Sequence, residues 1–267
     1  MEANTDGAPD AGVDELARRL LRARHVLVLS GAGLSAASGI PTFRDAMTGL
    51  WARYRPEELA TPEAFAANPR RVWDWYASRR AAVARARPNA AHEALARLQR
   101  VLGTLTLVTQ NVDGLLQAAG ARRVVELHGN ILRSVCSVTR RPIEAAWIDE
   151  HGGRPPPSPH HPDGLARPDV VWFGEALPGK ALDAAFGAAE ACDLCLVVGT
   201  SSVVEPAASL PRVAAGRGVA VVEINPEATP LSPLANLVLR APADRALPRA
   251  ADVVERLFTA RNGAAPV

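Results

Sequence analysis

Six short and almost wholly apolar runs limit the fold of this chain more than any other feature of its sequence. Segments with helical periodicity separate them, and such runs are typical of parallel strands that are buried on both faces of a sheet. The runs are residues 25–30, 104–109, 123–127, 192–199, 218–224 and 236–240. We therefore predict an α/β fold with a doubly wound, Rossmann-like parallel sheet.

Two insertions interrupt this alternation and predict a smaller lobe. Residues 46–102 read as a helical insertion, and residues 131–167 as an irregular insertion rich in turns. Residues 1–12 read as a disordered leader. The segments expected in the main domain are 13–45, 103–130 and 168–260.

Composition narrows the class of protein. Hydrophobic residues make up 48% of the chain and charged residues 22%, which is typical of a globular domain. A net charge of +2 argues against nucleic-acid binding, and no apolar run approaches the roughly 20 residues of a membrane span. With no secretory signal and three cysteines, we expect a cytoplasmic protein that does not bind membranes. Nothing in the sequence requires more than a monomer.

The first predicted strand runs directly into a glycine-containing loop, SGAGLSAASGIPTFRD. Gly31 and Gly33 permit a tight turn and close approach to a ligand, and the helix that follows would offer free N–H groups to a phosphate. An ordinary strand-to-helix turn would also explain these glycines, and the third glycine of the dehydrogenase fingerprint is missing. A second loop with Phe43 and Arg44 is unnecessary for such a turn, so the pattern favours a ligand site.

Polar side chains follow several predicted strands at their carboxyl ends, where open α/β sheets bind ligands. Gln110, Asn111 and Asp113 follow the second strand, and His128 follows the third. A lone histidine is more often a packed or surface residue than a catalyst, but its place beside a polar cluster favours a general base. Two further strands end in GTSS and EIN, so we predict a crevice for a large, hydroxyl-rich ligand.

Residues from about 15 to 257 resemble a known family through six motifs in a fixed order. The motifs are GAGLSAASGIPTFRD, TQNVDGL, LHGN, RPDVVWFGE, GTSSVVEPAASLP and EIN. They resemble those of the sirtuins, the NAD-dependent protein lysine deacylases. The resemblance implies that NAD is consumed: the acyl oxygen of a modified lysine attacks the ribose as nicotinamide leaves, and His128 then deprotonates a ribose hydroxyl. The implied products are nicotinamide, free lysine and acyl-ADP-ribose.

The resemblance also implies roles for individual residues. The catalytic residues would be His128 and Asn111. The NAD contacts would be Gly31, Ala32, Gly33, Ile40, Phe43, Arg44, Gln110, Asn111, Asp113, Gly199, Thr200, Ser201, Asn225 and Ala243. An extended acyl-lysine peptide would pair with a strand over Val170–Glu175 by main-chain bonds. The residues in contact with that peptide would be Val171, Phe173, Gly174 and Glu175.

A helix predicted from Asn68 carries an arginine on its apolar face. Its stripe is Val72, Tyr76, Arg79 and Val83. In the desuccinylase and demalonylase branch of the sirtuins, a tyrosine and an arginine at this spacing face the acyl tunnel, where an arginine fork can bind a terminal carboxylate. The resemblance therefore implies succinyl- or malonyl-lysine as substrate. In the alternative, Arg79 snorkels or pairs with an acidic neighbour, and the enzyme is a deacetylase.

The chain departs from the family at its structural zinc site. Sirtuins usually hold this zinc with two CxxC pairs, but the first pair here reads CSVT, starting at Cys136, and the second falls on PHHP at 159–162. A substitute site from Cys136, His151, His160 and His161 matches no known zinc spacing, so no metal is expected. We expect apolar packing to hold this part of the small lobe instead.

Two other functions remain open from the sequence. One is a catalytically silent NAD-binding sensor, against which the presence of His128, Asn111 and Asp113 argues. The other is mono-ADP-ribosyl transfer to a protein side chain, and Tyr76 and Arg79 favour an acyl-lysine substrate over that reaction. The partner expected is an acyl-lysine protein or peptide.

Overall fold

The computed structural model describes residues 8–40, 54–55 and 58–263. Its strands are β1 (Val26–Ser30), β2 (Leu105–Thr109), β3 (Val124–Glu126), β4 (Gly129–Cys136), β5 (Pro142–Ile143), β6 (Ala166–Val170), β7 (Leu194–Val198), β8 (Ala220–Ile224) and β9 (Leu237–Leu239). Its helices are α1 (Ala8–Arg22), α2 (Pro62–Ala67), α3 (Pro69–Arg85), α4 (Ala90–Leu102), α5 (Leu115–Ala118), α6 (Ala145–His151), α7 (Gly179–Ala191), α8 (Leu210–Gly216) and α9 (Ala243–Gly263).

The main sheet has six parallel strands in the order β3-β2-β1-β7-β8-β9. The six apolar runs form these six strands, so the predicted fold class is confirmed. The strand order reverses between β1 and β7, which creates a crevice at their carboxyl ends. At this point the two following loops meet: Gly33 N donates to Gly199 O at 2.8 Å.

Helices cover both faces of the main sheet. Val26 and Val28 of β1 pack with α1, α4 and α9, and Leu27 and Leu29 pack on the opposite face with α7 and α8. Alternate residues of one strand point to opposite faces, so a strand buried on both sides must be apolar throughout. No helix in the described ranges is long and apolar enough to cross a membrane.

Two predicted boundaries are wrong. Residues 46–102 were all expected in the small lobe, but α4 packs on the main sheet and against α9. The disordered leader was expected to extend to residue 12, but α1 begins at Ala8 and packs against β9. Gly12 fits there because a Cβ at this position would lie 2.6 Å from Leu239 Cδ2.

The small lobe combines α2 and α3 with the antiparallel sheet β5-β4-β6 and α6. Asn68 caps α3 by accepting from Arg71 N at 2.9 Å, and Pro69 occupies its first position, as predicted. The core of the lobe contains Leu59, Phe65, Val72, Trp75, Tyr76, Val83, Ile131, Val170 and Trp172. Val112, which follows β2, packs against this core, so the lobe sits over the carboxyl end of the main sheet.

The predicted strand over Val170–Glu175 is a turn beyond its first residue. Glu175 N donates to Trp172 O at 3.0 Å, and Gly174 has a φ of +85°. The Glu175 carboxylate also accepts from Trp172 N at 2.9 Å. These bonds close the turn and end β6 at Val170, so a peptide can pair only with the few main-chain groups that the turn leaves open.

We predict that adding a methyl group at Gly33, where the loops after β1 and β7 meet, destabilises the protein. A Cβ on Gly33 would lie 2.7 Å from Gly199 Cα, so Gly33→Ala should lower the free energy of unfolding by about 1–3 kcal/mol. Gly187→Ala, inside α7 with open space around its Cβ, should instead raise it by about 0.5–1 kcal/mol. Urea denaturation measures both, and a Gly33→Ala protein as stable as the wild type would contradict the close contact.

Candidate active site

A cavity of about 390 Å³ lies between the main sheet and the small lobe, at the carboxyl ends of β1, β2 and β3. Most of its lining is apolar, with a few polar groups, as is usual for a small-molecule site. The predicted site residues that line it are Ala32, Ile40, Tyr76, Arg79, Gln110, Asn111, Asp113, His128, Val171, Phe173, Gly174 and Glu175.

The remaining predicted residues lie in two places. Most lie beside this cavity, in a second region where the strand order reverses between β1 and β7, and the others lie outside the described ranges. Gln110 connects the two regions, because it lines the cavity and its Nε2 donates to Thr200 Oγ1 at 3.0 Å. Asn225 Nδ2 donates to Thr200 O at 2.9 Å. The predicted residues in this second region are Gly31, Gly33, Gly199, Thr200, Ser201 and Asn225, with Ala243 buried at the start of α9. Phe43 and Arg44 lie outside the described residues.

A chain of buried polar groups fixes the inner wall of the cavity. Asn111 Nδ2 donates to Ser35 Oγ at 3.1 Å and to Gly31 O at 3.0 Å, and Ser35 Oγ donates to Asp113 Oδ2 at 2.7 Å. His92 Nε2 lies 3.3 Å from Ser35 Oγ. These bonds orient the Asn111 and Asp113 side chains before any ligand binds.

His92 is the last residue in this series of hydrogen bonds, and its imidazole is neutral. Its Nδ1 accepts from Asn89 N at 3.2 Å, which leaves the proton on Nε2 for Ser35. Burial lowers the pKa of His92, and the charge of Asp113 opposes that shift. Sequence reasoning missed both Ser35 and His92. Ser35 lay within the glycine loop motif, whereas His92 carried no signal beyond its place three residues after a helix cap.

His128 is held in the tautomer that a general base needs. Its Nδ1 donates to the Gln110 carbonyl at 2.9 Å, because a carbonyl can only accept. Nε2 therefore has a free lone pair. Burial lowers the pKa of His128, and the bond to Gln110 opposes this shift, so the ring is neutral near pH 7. Its backbone is anchored too, since Val171 N donates to His128 O at 3.0 Å.

Tyr76 and Arg79 stand together on the cavity face of α3, as predicted. Trp172 Nε1 donates to Tyr76 Oη at 3.0 Å, and the Arg79 guanidinium lies 5.1 Å from the centre of the Trp75 ring. Burial raises the pKa of Tyr76, so the phenol stays protonated. Burial lowers the pKa of Arg79, which Tyr76 counteracts, and arginine remains charged at any physiological pH.

The turn after β6 forms the rim of the cavity. Phe173 is 53% exposed, whereas the Glu175 carboxylate is bound to Arg167 at 2.6 and 2.9 Å. Glu175, predicted to contact the substrate, lines the cavity, and both its carboxylate oxygens accept hydrogen bonds within the turn. Sequence reasoning missed Trp172 and Arg167, although both lie within the quoted motif RPDVVWFGE. Val83, one turn after Arg79 on the predicted stripe of α3, also lines the cavity, although it was not among the predicted site residues.

The residues around Cys136 are engaged with one another. Thr139 N donates to Cys136 Sγ at 3.4 Å, and the Ser158 side chain also bonds this thiol. Ser158 therefore faces Cys136, one residue before the predicted 159–162 segment. The histidines of the considered substitute site have other contacts: His160 Nε2 lies 2.7 Å from Pro142 O, and His151 stacks on Trp147. The described residues include no group of three or more His, Cys, Asp or Glu placed to hold a metal.

Comparisons with known proteins agree with this geometry. The model of the Sir2 family matches residues 31–206. An NAD-dependent protein deacylase of Thermus thermophilus is 52% identical over 237 residues, which cover 86% of this chain and 91% of that protein. NAD-dependent protein deacylase 2 of Pyrobaculum aerophilum is 46% identical over 253 residues, or 92% and 98% of the two chains.

Solved structures give the same result. The crystal structure of a Sir2 homolog–NAD complex has a TM-score of 0.84 and 44% sequence identity, covering 92% of this chain and 94% of that chain. A Sir2 protein solved with a deacetylated peptide and 3′-O-acetyl-ADP-ribose has a TM-score of 0.79 and 30% identity, covering 90% and 97%. The chain therefore belongs to the Sir2 family.

Proposed function

We propose that this enzyme removes short acidic acyl groups, succinyl or malonyl, from protein lysines. The general class follows from the family: the chain is an NAD-dependent protein deacylase, and NAD is its co-substrate. The observation that supports the finer assignment is the pair Tyr76 and Arg79 in the lining of a largely apolar cavity.

The physical argument rests on what an apolar cavity requires of a charged group. Burying a carboxylate without hydrogen-bond partners is energetically costly. An acidic acyl chain therefore binds only in a cavity that supplies hydrogen-bond donors to its carboxylate. Arg79 presents a planar fork of N–H donors and Tyr76 an O–H donor. A neutral acetyl group has no terminal carboxylate to accept from the Arg79 guanidinium and the Tyr76 hydroxyl, so it gains none of these bonds.

The residues beside the cavity fit a dinucleotide. The polar side chains Gln110, Asn111, Thr200 and Asn225 stand at adjoining strand ends, and they suit the hydroxyl groups of two riboses. When bound, NAD supplies a ribose carbon that becomes electrophilic as nicotinamide leaves. We assign the nicotinamide end to the cavity wall of Ile40, Asn111 and Asp113, and the pyrophosphate to the loop of Gly31, Ala32 and Gly33 with Ser201. The adenine end is assigned to Asn225 and Ala243.

His128 is assigned the proton-transfer step. Its Nε2 accepts a proton from a hydroxyl group of the substrate complex, while the Gln110 carbonyl stabilises the resulting imidazolium through Nδ1–H. Asn111 is assigned a positioning role at the reacting centre, because its amide is already oriented by Gly31 and Ser35. Both residues line the cavity that holds the acyl-binding pair.

The peptide that carries the acyl-lysine is assigned to the rim. Exposed Phe173 and Val204 offer an apolar surface there, and Gly174 lets a peptide backbone approach closely. We further propose that the enzyme acts as a monomer in the cytoplasm and does not bind nucleic acid. Its three cysteines are free and buried, which agrees with a reducing compartment.

We also propose that residues 131–167 fold without zinc. The thiol of Cys136 is bonded by Thr139 and Ser158, and a hydroxyl and a backbone N–H do not make a zinc donor set with one cysteine. The apolar cluster of Trp73, Cys136, Ile143 and Ala166, packed by Trp147 and Ile148, stabilises this part of the lobe instead.

The acyl preference is tested with matched acetyl-, malonyl-, succinyl- and glutaryl-lysine peptides, with deacylated peptide and acyl-ADP-ribose measured by mass spectrometry. We expect faster turnover of the acidic groups, and Arg79→Met should reduce kcat/KM for succinyl-lysine roughly 10- to 100-fold more than for acetyl-lysine. Arg85→Met, on the exposed side of α3, is the matched control and should leave the ratio unchanged.

Other results of this assay would overturn parts of the proposal. Equal losses on both acyl groups in Arg79→Met would remove the acyl-carboxylate role. An unchanged amount of NAD would indicate a sensor, and a heavier acceptor protein would indicate ADP-ribosyl transfer.

The base role predicts a specific pH dependence. Burial lowers the pKa of His128 below the ordinary value of about 6.5, so kcat/KM should stay high at pH 7 and fall only as the pH drops below that value. His128→Ala should lower the rate roughly 10²–10⁴-fold and remove this acid limb. His151→Gln, at an exposed position of the small lobe, serves as control. An acid limb centred above pH 7 would contradict the neutral, buried imidazole.

If residues 131–167 fold without zinc, removing metal ions should not change the stability of the protein. Purified protein should contain far less than one zinc per chain by elemental mass spectrometry, and EDTA should not change its Tm. Zinc near one equivalent, lost together with several degrees of Tm in chelator, would show that a metal site exists.

A further inference from the structure

A row of contacting side chains connects the salt bridge between Glu175 and Arg167, through Trp172, to Tyr76 in the cavity lining. The Arg167 guanidinium, 3% exposed as a residue, binds both oxygens of Glu175 at 2.6 and 2.9 Å and also donates to Val170 O at 3.0 Å. A charge this deeply buried needs such a bidentate partner. The pair fixes Arg167 in one orientation beneath the rim of the cavity.

Arg167 stacks on the next member of the row, Trp172. The carbon at the centre of the guanidinium lies 3.3 Å from the centre of the indole ring. A guanidinium at this distance attracts the ring face through the cation–π interaction. The backbone of Trp172 is held as well, because its N–H donates to Glu175. The indole is therefore fixed by its ring face and by its main chain.

The fixed indole determines how Tyr76 can use its hydroxyl. Trp172 Nε1 can only donate, so in their 3.0 Å bond the phenol oxygen must be the acceptor. The phenol hydrogen is then directed elsewhere, and among the described residues no acceptor receives it. Tyr76 lines the cavity beside Arg79, which likewise only donates. The Tyr76 hydroxyl and the Arg79 guanidinium can therefore both donate to a group bound in the cavity.

We propose that Trp172 is a positioning residue for acyl selection. By donating to Tyr76 Oη it directs the phenol O–H into the cavity, where a carboxylate, an acceptor-only group, takes it. Arg167 and Glu175 keep the indole in place for this purpose. The inference rests on the proposed acidic-acyl preference and adds a residue that does not itself bind the carboxylate.

The test is the ratio of kcat/KM for succinyl-lysine to that for acetyl-lysine. Trp172→Phe, which keeps an aromatic ring and removes the N–H, should lower this ratio about 3- to 10-fold. A sharper variant replaces Trp172 with 3-benzothienylalanine, which has nearly the same shape and carries sulfur in place of the indole N–H. It should lower the ratio to a similar extent, and it keeps the test available if Trp172→Phe folds poorly.

A double-mutant cycle with Tyr76→Phe separates positioning from packing. If Trp172 acts through the phenol, its replacement should change the ratio little once the hydroxyl is gone. Equal losses on both acyl groups, or an undiminished change of the ratio in the Tyr76→Phe background, would overturn the inference. A wild type without acidic-acyl preference would overturn the proposed function itself. If Arg79→Met loses the preference and the Trp172 variants keep it, only the positioning role fails.

Discussion

The contact between the loop after β1 and the loop after β7 is the constraint on which the site depends. Gly33 N donates to Gly199 O, and Gly31 N donates to Val198 O, at the point where the strand order reverses. This contact leaves no room for a side chain at Gly33. It brings the glycine loop, Thr200 and the polar end of β2 to one crevice, where Gln110 joins them.

Above this crevice, the small lobe supplies chemistry that the main sheet does not. The sheet side offers neutral amides, hydroxyls and two uncharged imidazoles, with Asp113 as its buried carboxylate. The lobe side offers the Arg79 guanidinium, which lies near the Trp75 ring and beside Tyr76. Among the described residues, the cavity therefore has a polar wall at the strand ends and a second wall, on the small lobe, that carries the Arg79 cation. The proposed preference for an acyl-lysine with a terminal carboxylate rests on the charge of this second wall.

The sequence predicted those parts of the fold that depend on local pattern. The six strands of the main sheet were found because each run is almost wholly apolar, and α3 was found from its cap and stripe. Residues 90–102 were recognised as helical, but periodicity does not say which surface a helix covers, so α4 was assigned to the wrong lobe. The turn after Val170 was missed because side-chain bonds cause it, and a pattern of apolar residues does not report them: the Glu175 carboxylate closes the turn against Arg167 and Trp172.

The same distinction holds for the site. Residues at strand ends, such as Asn111 and His128, could be predicted because topology brings strand ends together. The bond between Ser35 and His92 joins residues 57 positions apart and belongs to no local pattern. Trp172 lay within a quoted motif, but its partner Tyr76 is 96 positions away, so only the folded chain relates the two.

The central claim is that Arg79 and Tyr76 bind the carboxylate of the acyl group. A crystal structure with a succinyl-lysine peptide tests it most directly. We predict both carboxylate oxygens within about 3 Å of the Arg79 guanidinium and one of them within the same distance of Tyr76 Oη. A succinyl group that leaves Arg79 more than about 5 Å away, or that turns its carboxylate toward solvent, would contradict the account.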